Sequence, residues 1–163
     1  MNGKSNMKGI SFIEIIIAFA LTSVLVAAAM PNFNDYSVRA RVIEGMTISA
    51  AAQQALVDTC RSNENAIISS NEDAGFKFSK RSPESRFVEN VVVAGDCASK
   101  DLVVMLWMEN TGADPEPVFE LRAWVPSGIL SEGFETPYYW NCRLIRGEFG
   151  HVPSNCRKHY RKS

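Results

Sequence analysis

Glu14 is the only charged side chain in the apolar run from Ile10 to Met30, ISFIEIIIAFALTSVLVAAAM. As a helix rising about 1.5 Å per residue, that run is long enough to span a bilayer. A carboxylate inside such a stretch costs on the order of 3 kcal/mol on insertion scales. A charge standing against that penalty reads as functional and in need of a cation; the bland alternative is a side chain snorkelling to the headgroups. Cys60, Cys97, Cys142 and Cys156 form the second reactive group. No Cys-x-x-Cys pair occurs, which argues against zinc. An even set in a chain whose bulk must lie outside a membrane suggests two disulfides in an oxidising compartment, with all three pairings open. His151 and His159 are the only histidines, and there is no Gly-x-Ser-x-Gly elbow, phosphate-cradling glycine loop or His-Glu-x-x-His helix. No enzyme, cofactor site or metal site is expected.

The residues around Glu14 carry a recognisable pattern. MNGKSNMKG, with Lys4 and Lys8, ends at Gly9 and leads directly into the apolar run. A short basic leader, a glycine, then an apolar helix with Glu at its fifth position resembles the class III signal of type IV pilins. PNFNDYSVRARVIEGM after Met30 is similar to the stretch that follows the membrane part of the pilin helix. Trp140-Asn141-Cys142 and Val152-Pro153-Ser154-Asn155-Cys156-Arg157 resemble the borders of a pilin's C-terminal disulfide loop. Ile10 stands where the family usually has Phe, and Phe12 where it usually has Leu; both departures keep the helix apolar and bear on the rate of processing.

The resemblance implies cleavage between Gly9 and Ile10 by a prepilin peptidase, which also N-methylates the new Ile10 amine. It implies that Glu14 of an incoming subunit meets the terminal amine of one already assembled. Within one chain, Glu14 would lie in the helix's first turn, where the macrodipole favours an anion by up to ~1 kcal/mol. The resemblance also implies a Cys142–Cys156 bond, which leaves Cys60 and Cys97 as the remaining pair. The expected life history is that of a single-pass inner-membrane precursor with a periplasmic head. Its end state would be an extracellular homopolymer, the pilus of a Gram-negative-type bacterium, serving adhesion, twitching or DNA uptake.

The elements that must position these residues follow from periodicity. The expected division is a leader at 1–9, a membrane and assembly helix at 10–30, and a head at 31–163. The helix should run from Ile10 to about Cys60, kinked or locally melted at Pro31, which removes a backbone donor. Beyond Pro31 it becomes amphipathic: Phe33, Tyr36, Ala40, Ile43, Thr47, Ala50, Gln54 and Val57 recur at three- and four-residue steps. Asp35, Arg39, Arg41 and Glu44 are assigned to the solvent side. After a polar connection with a short element near Ala66–Ser69, strands are expected at Phe87–Val93, Leu102–Met108, Val118–Val125 and Tyr138–Ile145. Ala94-Gly95-Asp96 reads as the first turn, and Asp114-Pro115-Glu116-Pro117 as a break. Antiparallel strands on the amphipathic half of a long helix make an α+β head.

The 163 residues carry a formal net charge of −1, and removing Lys4 and Lys8 makes the chain more acidic. So mild a balance gives no global case for nucleic acid. Charge is nevertheless uneven: Glu109, Asp114, Glu116, Glu120, Glu132 and Glu135 face Arg122 alone, whereas Arg143, Arg146, Arg157, Lys158, Arg161 and Lys162 face Glu148. Arg157, Lys158, Arg161 and Lys162 form a basic patch. Its sharper reading is a phosphate-binding stripe, but Tyr160 is the tail's one aromatic and the stacking signature is thin. A solvated tail is the favoured reading. A secretory signal fits the N-terminus poorly, since the apolar run exceeds the usual h-region. A minor pilin, a pseudopilin or a membrane-anchored binding module that never assembles remain the alternatives.

Overall fold

The computed structural model describes residues 10–80, 86–125 and 138–157, with the backbone alone for 29–34. Helix α1 spans Phe12–Ser62, and the chain divides between Asp35 and Tyr36 into two units. The helical hydrogen bonding continues through Pro31, whose side chain lies outside the described residues.

In the first unit the described side chains are apolar almost all round, and the hydroxyls of Thr22 and Ser23 fold back. Thr22 Oγ1 donates to Ala18 O and Phe19 O, each at 3.0 Å, and Ser23 Oγ donates to Ala20 O at 2.8 Å. Bonding to the carbonyls of the preceding turn removes those donors from the surface. At the far end of the helix, Ser62 Oγ donates to Asp58 O at 2.8 Å. Arg61 lies in the last turn, where a cation complements the dipole.

The head unit contains a five-stranded antiparallel sheet in the order β1 (Ile67–Ile68), β2 (Val88–Asp96), β3 (Asp101–Met108), β4 (Val118–Trp124), β5 (Tyr139–Arg146). Alternation decides the faces. Leu102, Val104, Leu106 and Met108 of β3, with Phe119, Leu121 and Ala123 of β4, are buried in one core with Val38, Val42, Ala52 and Leu56 of α1. The α+β architecture and, to within a residue, the spans of β3, β4 and β5 agree with the periodicity of the sequence.

The core face of α1 does not. Val38, Val42, Gly45, Ser49, Ala52, Leu56 and Cys60 are buried, whereas Tyr36 is 71% and Ile43 50% exposed. Ala40, Thr47, Ala50 and Gln54 are exposed too, Val57 is buried, and the Phe33 side chain lies outside the described residues. Both rows repeat at three and four residues, so spacing alone cannot choose between them. Size chooses: a Cβ placed on Gly45 would overlap the Met108 methyl and lie 3.3 Å from Phe87 Cβ. At Gly45 the sheet approaches the helix too closely for a large side chain. The buried Ser49 hydroxyl is satisfied by Met46 O at 2.6 Å.

Arg41 is exposed, as expected, and Arg39 half-buried, and both also bond to loops of the head. Arg39 Nε and Nη2 donate to Gly150 O, and Arg41 Nη1 donates to Thr111 O at 3.1 Å. Ala94-Gly95-Asp96 remain in the β2 ladder, paired with Val103, Leu102 and Asp101, and the turn falls at Cys97–Lys100. Gly95 serves close approach rather than turning, because a Cβ there would sit 2.8 Å from Asp101 O. A Cys60–Cys97 disulfide, with Cα atoms 5.2 Å apart, ties the end of α1 to that turn.

Candidate functional site

Two regions hold the residues singled out by sequence. The first is the start of α1. Ile10 is 75% and Phe12 78% exposed, and Ile13, Ile15, Ile16, Ile17, Phe19, Leu21, Val24, Leu25 and Val26 are exposed around the whole helix. Glu14 lies in the first turn, its N–H donating to Ser11 O at 3.0 Å. The amide dipoles converge there, so the carboxylate sits where the helix itself favours an anion. Gly9, which the sequence resemblance places before the expected cut, lies outside the described residues. Among the described residues no helix is long and apolar enough to cross a membrane. The described side chains of the apolar run end at Ala28, short of Met30.

The second region is the C-terminal loop. Cys142 on β5 is bonded to Cys156, their Cα atoms 4.6 Å apart. Inside this loop Gly147 has φ +120 and lies against Pro117, a backbone conformation and a packing distance that both require glycine. Short 3-10 turns follow at Phe149–His151 and Ser154–Cys156, and Val152 and Cys156 are fully buried. Arg39 grips the loop at Gly150 from α1, and Arg146 Nε donates to Glu116 O at 3.2 Å. Arg157 closes it from behind, Nε donating to Val152 O at 2.9 Å. Arg157, counted with the basic patch, is half-buried, and its Nε–H is turned to the loop's own backbone. Lys158, Arg161 and Lys162 lie outside the described residues.

The charges of the open sheet face are paired across strands. Arg122 on β4 bridges Asp101 on β3 and Glu120, while Arg143 on β5 meets Glu120 at 2.9 Å. Burial works against the Arg122 charge, but hydrogen bonding and attraction from Asp101, then Glu120, outweigh it and raise its pKa. Trp124 and Tyr139, cross-strand partners, stand beside this row with ring centroids 5.7 Å apart. Among the described residues no group of His, Cys, Asp and Glu could hold a metal ion.

Several positions that shape the head escaped sequence reasoning. Thr111 is fully buried, and Glu116 accepts from both its N–H, at 3.0 Å, and its hydroxyl. Asn71 docks on the edge of β2, and Gly45 admits the sheet. An isolated glycine inside a helical pattern was the one available signal, pointing to a packing reason at Gly45. Nothing in spacing marks Asn71 or Thr111.

No protein-family model matches the chain. It is 25% identical over 154 residues to the fimbrial protein EcpC of Eikenella corrodens, across 94% of this chain and 93% of that one. It is 28% identical over 109 residues to the type IV major pilin protein PilE1 of Neisseria gonorrhoeae, across 67% of this chain and 47% of that protein. Over 101 residues it is 28% identical to the type IV major fimbrial protein FimA of Dichelobacter nodosus, covering 57% and 62% of the two chains. The match thus spans nearly all of EcpC but about half of PilE1. A long N-terminal helix on an antiparallel sheet, closed by a C-terminal disulfide loop, is the architecture these similarities accompany, and the chain belongs to the type IV pilin family. It is a pilin or fimbrial subunit, structural and not enzymatic.

Proposed function

We propose that this pilin is cut between Gly9 and Ile10, N-methylated at Ile10, and polymerised through the first part of α1 into an extracellular filament. The observation that carries this reading is the exposure of every large apolar side chain described from Ile10 to Val26. Such a surface cannot remain in water, and it must be covered by lipid or by other copies of itself. Lipid covers it first, in an inner-membrane precursor whose head lies in the periplasm, and other subunits cover it after assembly. Exchange of lipid for protein contact is nearly neutral for apolar surface, so it cannot by itself order the subunits. Glu14 supplies the directional term: its carboxylate neutralises the terminal amine of a neighbouring subunit. Head-to-tail contacts of this kind do not close, and they generate an open helical filament. Pro31, by weakening one turn, lets the helix bend or stretch as subunits pack.

PilE1 and FimA are described as major subunits, and the role proposed here is likewise that of a principal filament component. The partners are the prepilin peptidase and further copies of the chain. The test is Glu14→Ala expressed as the sole subunit. The variant should still insert in the membrane, yet cells should shed no filaments on shearing and show none by electron microscopy. Normal piliation would remove the carboxylate from assembly and leave it a side chain that merely reaches the headgroups.

A further inference from the structure

Strand β1 is too short to cover its neighbour. Ile68 pairs with Gly95 and Ile67 with Asp96, and the β1–β2 ladder ends there. In an antiparallel strand alternate residues turn both N–H and C=O to the same edge. On the β1 side of β2, the groups beyond Gly95 are therefore those of Val93 and Val91. The Asn71 carboxamide occupies them: Nδ2 donates to Val91 O at 2.7 Å, and Oδ1 accepts from Val93 N at 2.8 Å. A primary amide offers one donor and one acceptor side by side, as the backbone of an adjacent strand does. One side chain thus caps the two edge groups flanking Val92 that β1 does not reach.

Asn71 is itself fixed in place. Ser69 N and Ser70 N donate to Asp73 Oδ2 at 3.0 and 2.9 Å, Asp73 N donates to Ser70 Oγ at 3.3 Å, and Phe76 N donates to Asn71 O at 2.9 Å. The segment it covers is Val91-Val92-Val93, three β-branched uncharged residues in succession. That is the composition of a strand prone to pair with its own kind.

We infer that Asn71 is a strand surrogate that keeps the β2 edge closed against antiparallel pairing with the same edge of a second copy of this chain. The self-complementary partner follows from the geometry, since two identical edges related by a two-fold axis present matching donors and acceptors. Unguarded edges of this kind are where sheets extend between molecules. The inference stands apart from the filament reading, because the contact it prevents lies on the sheet and not on the apolar start of α1.

Asn71→Ala in the full-length chain, purified in detergent, tests it beside the unsubstituted protein. Amide exchange at Val93 should accelerate by about tenfold or more. The variant should also dimerise with rising concentration in sedimentation. Adding Val92→Lys, an exposed charge beside that edge, should abolish the dimer while Val93 exchange stays fast. Asn71→Ser removes the same pair of bonds with a smaller change and serves if the alanine variant fails to fold. Unchanged exchange at Val93, an open edge that stays monomeric, or association that Val92→Lys does not suppress would each overturn the inference.

Discussion

Gly45 is occupied by absence: the space its side chain would take belongs to the Met108 methyl and the Phe87 Cβ. Two effects oppose each other when it is replaced. Alanine is favoured over glycine inside a helix by about 1 kcal/mol, and overpacking a close contact costs typically ~1–3 kcal/mol. Because the nearest group is the end of a flexible thioether, Gly45→Ala should lose about 1 kcal/mol or less. Gly45→Leu, whose further atoms have no room beside Met108 and Phe87, should lose several. Denaturant unfolding of the two variants measures the difference, and equal stability of both would mean that the helix and sheet separate at no cost. The same reasoning explains why Tyr36 and Ile43 were misplaced by periodicity. Apolar bulk ranks them above Gly45, Ser49 and Ala52, but the close approach of the sheet at Gly45 favours a small side chain there. Asn71 was invisible for another reason: its role depends on the position of β2, a strand distant in sequence, and no local pattern encodes it.

At the scale of elements, the strands were legible because β3 is an unbroken apolar run after Asp101 and β4 alternates between core and open face from Phe119 onward. The helix was legible because an unbroken apolar run continues into a repeat of three and four. The end of β2 was not, since Gly95 serves as a close-packed ladder residue where a turn was the commoner reading. The Ser69–Gly75 turn that carries Asn71 has its own pH dependence. The Ser69 N–H, then the Ser70 hydroxyl and N–H, hold the Asp73 carboxylate in its charged form and lower its pKa. A depressed folded-state pKa adds stability above the ordinary aspartate value, about 3.9, that disappears as pH falls through the lower folded value. Amide exchange at Ser69 and Ser70, corrected for intrinsic rates, should therefore stay slow at neutral pH and rise only on acidification below about pH 4. Asp73→Asn should flatten that profile, and a profile unchanged by the substitution would detach the carboxylate from the turn.

For the whole molecule, the proposed cut between Gly9 and Ile10 would decide whether the rest can act. A prepilin peptidase needs a small residue before the scissile bond, which Gly9 supplies. Gly9→Val should leave the precursor uncut in the membrane, with mass spectrometry finding methylated Ile10 only in the unsubstituted strain; surface filaments with the leader intact would end the processing proposal. The two disulfides bear on a different property, the response of a subunit to load. Cys60–Cys97 closes 37 residue steps and Cys142–Cys156 closes 14, and neither loop encloses the chain from Ala98 to Asn141. A pull between the ends can draw slack out of the chain only where no bridge short-circuits it. Inside the head that means the part of α1 before Cys60 and the chain from Ala98 to Asn141, which holds β3 and β4. The stretch holding β1, the Asn71 turn and β2 is inextensible while oxidised, as is the C-terminal loop. Reduction would release both spans at roughly 3.5 Å of contour per residue, so the thiol state sets how far the head lengthens before it gives way.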